Sequence, residues 1–173
     1  QGHDYSRPGI GSPLRGELRK SIQVVFQDPY ASLNPRRRIE AILSDPFVIH
    51  GTASKAELRE KVKQLVTDVE LPQEVLNRLP SQLSGGQRQR VAIARAIALR
   101  PSLIVADEPV SALDITTQAK IIKLLARLRD KLGVSFLFIS HDLGVVGELC
   151  DRLIVLEEGR IVEADWTQRV FER

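Results

Sequence analysis

Apolar residues in this chain run together in some stretches and recur at helical spacing in others. Residues 22–26, Ile-Gln-Val-Val-Phe, form a β-branched run that predicts a strand, closed off by Pro29. Residues 103–106, Leu-Ile-Val-Ala, and 134–139 are short, almost unbroken apolar runs, the pattern of buried parallel strands. Leu58, Val62, Leu65, Val66 and Val69, with Lys and Glu between them, predict a helix with one buried stripe. Ser54 and Glu57 open it at capping-box spacing, and Pro72 stops it. Ile121, Leu124, Leu125, Leu128 and Leu132 predict a second amphipathic helix, closed by Gly133. Between these, Ser84 and Gln87 repeat the capping-box spacing ahead of an alanine- and arginine-rich helix over 88–99. Shorter elements fill the rest: a helix over 38–44 that ends before Pro46, a turn or two over 74–79, a helix over 143–150 and a strand over 153–156. Glu158-Gly159 makes a tight turn into Ile161-Val162, and Trp166 and Phe171 are a packed aromatic pair on a terminal helix. Residues 1–16, rich in Gly, Pro, Ser and Arg, predict a loop, and 18–21 a turn of helix.

Composition narrows the class. The chain has 173 residues, 43% hydrophobic and 27% charged, enough for one domain with a real core and too apolar for disorder. Net charge is +3 with the arginines scattered through helices, so no nucleic-acid footprint is expected. Arg36-Arg37-Arg38 is taken as a solvated helix start. The single cysteine, Cys150, excludes an internal disulfide framework and a cysteine zinc cluster. No apolar stretch reaches the roughly 18 residues that span a bilayer, and Gln1-Gly2-His3-Asp4 does not begin a signal peptide. The chain holds no methionine, which fits a piece of a longer protein.

Candidate chemistry lies where polar residues follow the apolar runs. Asp107 and Glu108 stand at the end of 103–106, where open α/β sheets bind ligands; one carboxylate can serve Mg²⁺ and its neighbour can orient or deprotonate a water. His141, after 134–139 and before a helix start, is placed to meet a phosphate. Ser84, Gly85, Gly86 and Gln87 open a helix whose free N–H groups can hold an anion, with Gly85 and Gly86 letting it approach the backbone. Taken singly, each has a plainer reading: an ordinary N-cap with a glycine turn, a solvated strand end, a capped loop histidine. Their joint order is what carries weight.

LSGGQ at 83–87, followed by LIVADEP at 103–109 and SALD at 111–114, resembles the nucleotide-binding domain of ATP-binding cassette (ABC) proteins. VFQDPYASLNPR at 25–36 is similar to that family's Q-loop region, and residues 30–36 and 45–51 to its oligopeptide/dipeptide importer branch. The resemblance implies an α/β fold: an incomplete P-loop NTPase (RecA-like) parallel-sheet core with an inserted α-helical subdomain. The division would be 1–35, partial ATPase core with the Q-loop; 36–82, helical subdomain; 83–173, signature helix and the remainder of the core. It implies ATP and Mg²⁺ as ligands, with Gln27 and Asp107 near the metal, Glu108 and His141 catalytic, and His141 at the γ-phosphate. Gln27, Ser84, Gly85, Gly86, Gln87 and Asp114 would also face nucleotide, the signature residues closing over a partner's ATP and Asp114 carrying contacts across the dimer. Partners would be a second nucleotide-binding domain and membrane permease subunits docked on 36–82, at the cytoplasmic face of the plasma (inner) membrane.

One expected part has no match. A phosphate loop needs G-x-x-x-x-G-K-[ST]. Gly11 and Gly16 have the separation, but Glu17-Leu18 follow and Pro13 intervenes. The adenine-stacking aromatic of the family has no candidate either. The expectation is therefore an ATPase subunit energising uptake of peptides or similar solutes, of which this chain alone is inactive. A non-enzymatic fragment that lends its LSGGQ turn to a partner is the alternative. ABC ATPases of DNA repair rank below both, because 36–82 is short, Cys is single and heptads are not sustained.

Overall fold

A computed structural model of the chain describes residues 13–172. The first described element is a helix, α1 (Pro13–Ser21), where a loop through Gly16 was expected. Pro13 sits at its first position, where a preset φ and a missing N–H suit a helix start. The expectation for residues 1–12 lies outside the described residues.

The centre is a three-stranded parallel sheet in the order β1 (Ile22–Val25), β2 (Leu103–Asp107), β3 (Ser135–Ile139). Val25 pairs with Ala106 and Asp107 with Ile139, so all three strands end at one edge. One face of this sheet carries Val25, Ile104 and Ala106, all buried. The other face is open: Ile22, Val24, Leu137 and Ile139 are exposed. β3 was expected to be buried and instead alternates, because among the described residues nothing covers its outer side.

Between β1 and β2 lies a helical layer: α2 (Pro29–Ser32), α3 (Ile39–Ile49), α4 (Lys55–Asp68), 3₁₀ turns at Gln73–Asn77 and Pro80–Gln82, and α5 (Gly85–Ile97). α3 does not stop before Pro46 but runs through it. The bond lost to the ring is outweighed locally by burial of Ile42 and Leu43 before it and Phe47 after it. Arg37, expected in solvent, forks onto Asp45, the residue just before that proline, with Nη2 donating to Oδ1 at 2.9 Å. α4 opens on the expected Ser54–Glu57 box, but it ends at Asp68 with Glu70 in the left-handed region, φ 57°, before Pro72 is reached.

α5 begins at Gly85, not Arg88. A box between Ser84 and Gln87 makes Gln87 the third helical residue, so both glycines belong to the first turn. Its buried face, Val91, Ile93, Ala94 and Ile97, faces the sheet and helical layer. α6 (Ile115–Leu132) returns to β3, burying Ile121, Leu124, Leu125 and Leu128, and closes on Gly133 at φ 64° as expected. α7 (Leu143–Leu149) follows, then an antiparallel hairpin of β4 (Arg152–Glu157) and β5 (Arg160–Trp166), turned by Glu158 and Gly159 at positive φ. The chain's last described helix is α8 (Thr167–Phe171). Trp166 and Phe171 do not pack as a buried pair: each is half exposed, Trp166 beneath the Arg152 guanidinium at 5.9 Å and Phe171 over Gly147.

The one-sided sheet makes a stability prediction. Ile104→Ala should cost about 2–5 kcal/mol in urea unfolding, whereas Leu137→Ala on the open face should cost less than about 1 kcal/mol. Equal costs would show that the outer face is covered in solution.

Candidate functional site

Parallel pairing delivers the ends of β1, β2 and β3 to one edge, and each strand is followed there by a polar side chain. β1 runs into Phe26-Gln27, β2 into Asp107-Glu108, and β3 into Ser140-His141. Glu108 is the pivot. Its φ is 42°, a left-handed conformation that a non-glycine residue adopts at a cost of roughly 1–3 kcal/mol. The turn is held from two sides: the Glu108 N–H donates to the Ile139 carbonyl at 2.9 Å, and Ser111 donates through N–H and Oγ to the Glu108 carbonyl at 3.3 and 3.1 Å.

This turn aims the carboxylate back along the edge. Gln27 Nε2 donates to Glu108 Oε2 at 2.9 Å, and His141 Nδ1 lies 3.0 Å from Oε1. Gln27 also reaches Ser111 Oγ at 3.4 Å. The hydrogen bond and charge of His141 hold the Glu108 carboxyl below its usual range, against a smaller opposing effect of burial. In return the Glu108 hydrogen bond and charge raise the imidazole of His141. The histidine side chain is 75% exposed, so the pair adds little to stability and its consequence is placement.

The Asp107 carboxylate sits beside this group without a side-chain hydrogen bond or ion pair among the described residues. It lines a cavity of about 600 Å³ with Phe26, Gln27, Asp28, Ser32 and Arg95. Arg95 donates Nη1 to the Ser32 carbonyl at 2.6 Å, tying α5 to the segment that follows Gln27. Burial lowers its pKa. Arg95 was not singled out in the sequence, and Ser111 entered only as the first residue of SALD at 111–114. An arginine on the alanine and isoleucine face of α5 was the available signal for the first; SALD marked the second, but not its bond to the Glu108 carbonyl.

The LSGGQ turn forms a separate group. Ser84 Oγ accepts from the Gln87 N–H at 3.2 Å, and the Gln87 side chain accepts from the Ser84 N–H at 3.0 Å. The helix start leaves the N–H groups of Gly85 and Gly86 without intrahelical acceptors. Both glycines lie against the start of α6, Gly85 by Leu113 and Gly86 by Thr117. Asp114 caps α6, accepting from the Thr117 N–H, Thr117 Oγ1 and Thr116 Oγ1 at 3.0, 2.7 and 2.8 Å. The Thr117 and Thr116 hydroxyls lower its carboxyl to about 2. The structure thus unites Gln27, Glu108 and His141, with Asp107 alongside, and holds Ser84 to Gln87 with Asp114 as a second group.

A family model described as ABC transporter matches residues 2–111. The chain belongs to the ABC transporter family. Among curated relatives, the dipeptide transport ATP-binding protein DppF of Haemophilus influenzae is 50% identical over 171 residues, covering 99% of this chain and 52% of that protein. The oligopeptide transport ATP-binding protein AppF of Bacillus subtilis is 46% identical over 159 residues, 92% of this chain and 48% of its own length. The chain spans about half the length of the curated relatives it matches. Among solved structures, cbiO1 of Clostridium perfringens, part of the cbiONQ ABC transporter complex, superposes with a TM-score of 0.84 at 31% identity, over 98% of this chain and 64% of that one. A dimeric ATP-binding cassette bound to ADP and Pi superposes with a TM-score of 0.75 at 34% identity, over 87% and 65%. The fold is that of ABC ATPase domains, an α/β P-loop NTPase architecture. Members of the ABC family generally bind ATP with Mg²⁺. No helix among the described residues is long and apolar enough to cross a membrane.

The donors at the sheet edge fit such a cation. Gln27 turns its Nε2 to Glu108, leaving Oε1 available, and Asp107 adds a carboxylate. Mg²⁺ is held through few protein oxygens, with waters and phosphates completing its shell. Among the described residues no cluster of three or more His, Cys, Asp or Glu could hold a metal ion.

The pH dependence of the His141–Glu108 pair follows from the signs. His141 is raised, so its contribution is full below about 6.5, the ordinary value, and is lost as pH rises through the higher folded value. Glu108 is lowered, so its contribution is present above the ordinary carboxyl range and lost as pH falls through the depressed one. An NMR titration of the His141 imidazole should give a midpoint above the ordinary value, returning toward it in Glu108→Gln. A midpoint indifferent to that change would show the contact absent in solution.

Proposed function

We propose that this chain is part of the ATP-binding and ATP-hydrolysing subunit that energises an ABC importer of peptides or similar small solutes. The observation that carries the reading is Glu108, locked in a left-handed turn at the sheet's carboxyl edge and held between Gln27 and His141. A carboxylate kept ionised by those neighbours can orient a water and take its proton. His141, cationic or donating from its ring, would stabilise charge on a terminal phosphate. Gln27 and Asp107 would hold Mg²⁺, which supplies charge neutralisation for the phosphates. In this reading residues 1–35 and 83–173 contribute to the ATPase core and 36–82 is a helical subdomain on which permease subunits dock. The assembly would lie on the cytoplasmic face of the membrane. Ser84, Gly85, Gly86 and Gln87 would close over the nucleotide of a second ATP-binding domain, with Asp114 shaping the turn at that junction. The names of DppF and AppF support the peptide branch.

The 173 residues contain no G-x-x-x-x-G-K-[ST] motif. Phosphoryl transfer depends on positioning and charge stabilisation, so the chain by itself should bind Mg-ATP weakly and turn none over. Titration calorimetry should show no affinity in the micromolar range; micromolar binding would mean that another segment cradles the phosphates. The intact LSGGQ turn supports a second, non-enzymatic reading of the isolated chain, as a cap on a complete partner's ATP. For the parent, proteoliposomes carrying the full-length subunit and its permeases should take up peptide only when Mg-ATP is supplied on the subunit's side. Uptake unaffected by omission of ATP would contradict the importer reading.

A further inference from the structure

Of the described glycines, Gly86 leaves the least room for a Cβ, and the neighbour that closes it is Thr117. Gly86 has ordinary helical geometry, so nothing in its φ demands glycine. A Cβ placed on it would fall 2.6 Å from Thr117 Cγ2, well inside contact distance. The methyl cannot swing aside cheaply. Thr117 is β-branched and stiff at χ1, and its Oγ1 is bonded to Asp114 Oδ2 at 2.7 Å while its N–H donates to Asp114 Oδ1 at 3.0 Å. Rotating the methyl out of the way therefore breaks the Thr117 Oγ1–Asp114 Oδ2 bond and leaves α6 capped only by the Thr117 N–H and the Thr116 hydroxyl on Oδ1. Gly85 differs: a Cβ there would meet Leu113 Cδ2 at 3.3 Å, the far end of a flexible side chain that can yield.

We infer that Gly86 is a packing glycine whose partner is Thr117, and that Thr117 is a positioning residue: the Asp114–Thr117 cap seats the LSGGQ turn by locking the first turn of α5 against the first turn of α6. The two turns then move as one body. The functional consequence rests on the proposed role of the LSGGQ turn as a cap on a partner's nucleotide; the interlock itself does not. Glycine's other explanation, room for an anion at the backbone, makes a different prediction, and the methyl can be used to separate them.

The test moves that methyl across the contact. Gly86→Ala alone should lower Tm of the 173-residue chain by roughly 2–10 °C, the effect of overpacking a rigid contact. Thr117→Ser keeps the hydroxyl on Asp114 and removes Cγ2. In that background Gly86→Ala should leave Tm unchanged or raise it, since alanine favours a helix over glycine. This reversal of sign is the signature of coupling in a double-mutant cycle. Gly85→Ala should show no such dependence on Thr117. An equal loss from Gly86→Ala in both backgrounds overturns the inference. The functional arm is association with immobilised full-length subunit, with and without Mg-ATP. Gly86→Ala should abolish ATP-dependent association and Gly86→Ala with Thr117→Ser should restore it. A double variant that is stable yet still fails to associate overturns the positioning role. Absence of ATP-dependent association in the wild-type chain would count against the capping reading only, and the thermal cycle would still decide the interlock.

Discussion

The arrangement depends on the parallel register of three strands. Because β1, β2 and β3 run the same way and are matched residue for residue, their last residues reach one edge together. Each chain then has to leave the sheet, and it does so through a polar residue: Gln27, Glu108 or His141. A one-residue slip in the central strand would carry Ala106 to the open face and Asp107 to the buried one and separate the group. The edge is further braced by the Glu108 N–H on the Ile139 carbonyl, which binds the turn after β2 to the end of β3.

The local cost of that turn is borne by packing elsewhere. The Glu108 conformation is unfavourable and the His141 contact is too exposed to offset it, so the stabilisation comes from the buried side of the sheet and from α5 and α6. Ion pairs join the helical layer to the same framework. Glu70, itself left-handed, is shared between Arg90 on α5 and Arg127 on α6, while Asp68 pairs with Lys131 at 2.8 Å. Arg90, only 14% exposed on its side chain, also donates to the Val69 carbonyl at 2.7 Å. The end of α4 is thus fixed to both helices whose first turns carry the LSGGQ and Asp114 groups.

Much of this was legible in the chain because the signals were local. The apolar runs of β1, β2 and β3, the Ser54 and Ser84 boxes and the Gly133 closure each depend on a few neighbouring residues. The failures were tertiary. Pro46 lies within a helix because Ile42, Leu43 and Phe47 are buried around it. β3 is one-sided because exposure depends on what lies opposite, which its own residues do not encode. One failure was local instead: with Ser84 as cap and Gln87 as third residue, α5 starts at Gly85, three residues before Arg88. At the candidate site, the strand-end residues could be marked in advance. That Gln27 and His141 would grip opposite oxygens of one carboxylate could not, since 81 and 33 residues separate them from Glu108. The capping of α6 by Asp114, an Asp directly ahead of a helix, was a local signal of the same kind as the Ser54 and Ser84 boxes and was overlooked.

Glu108 as the group that acts on water is the claim on which the functional account stands. The direct measurement is steady-state ATP turnover and nucleotide affinity of the full-length subunit with and without Glu108→Gln. The account predicts that turnover falls by about 10²–10⁴-fold while affinity for Mg-ATP is retained. Turnover at the wild-type rate in Glu108→Gln would contradict it.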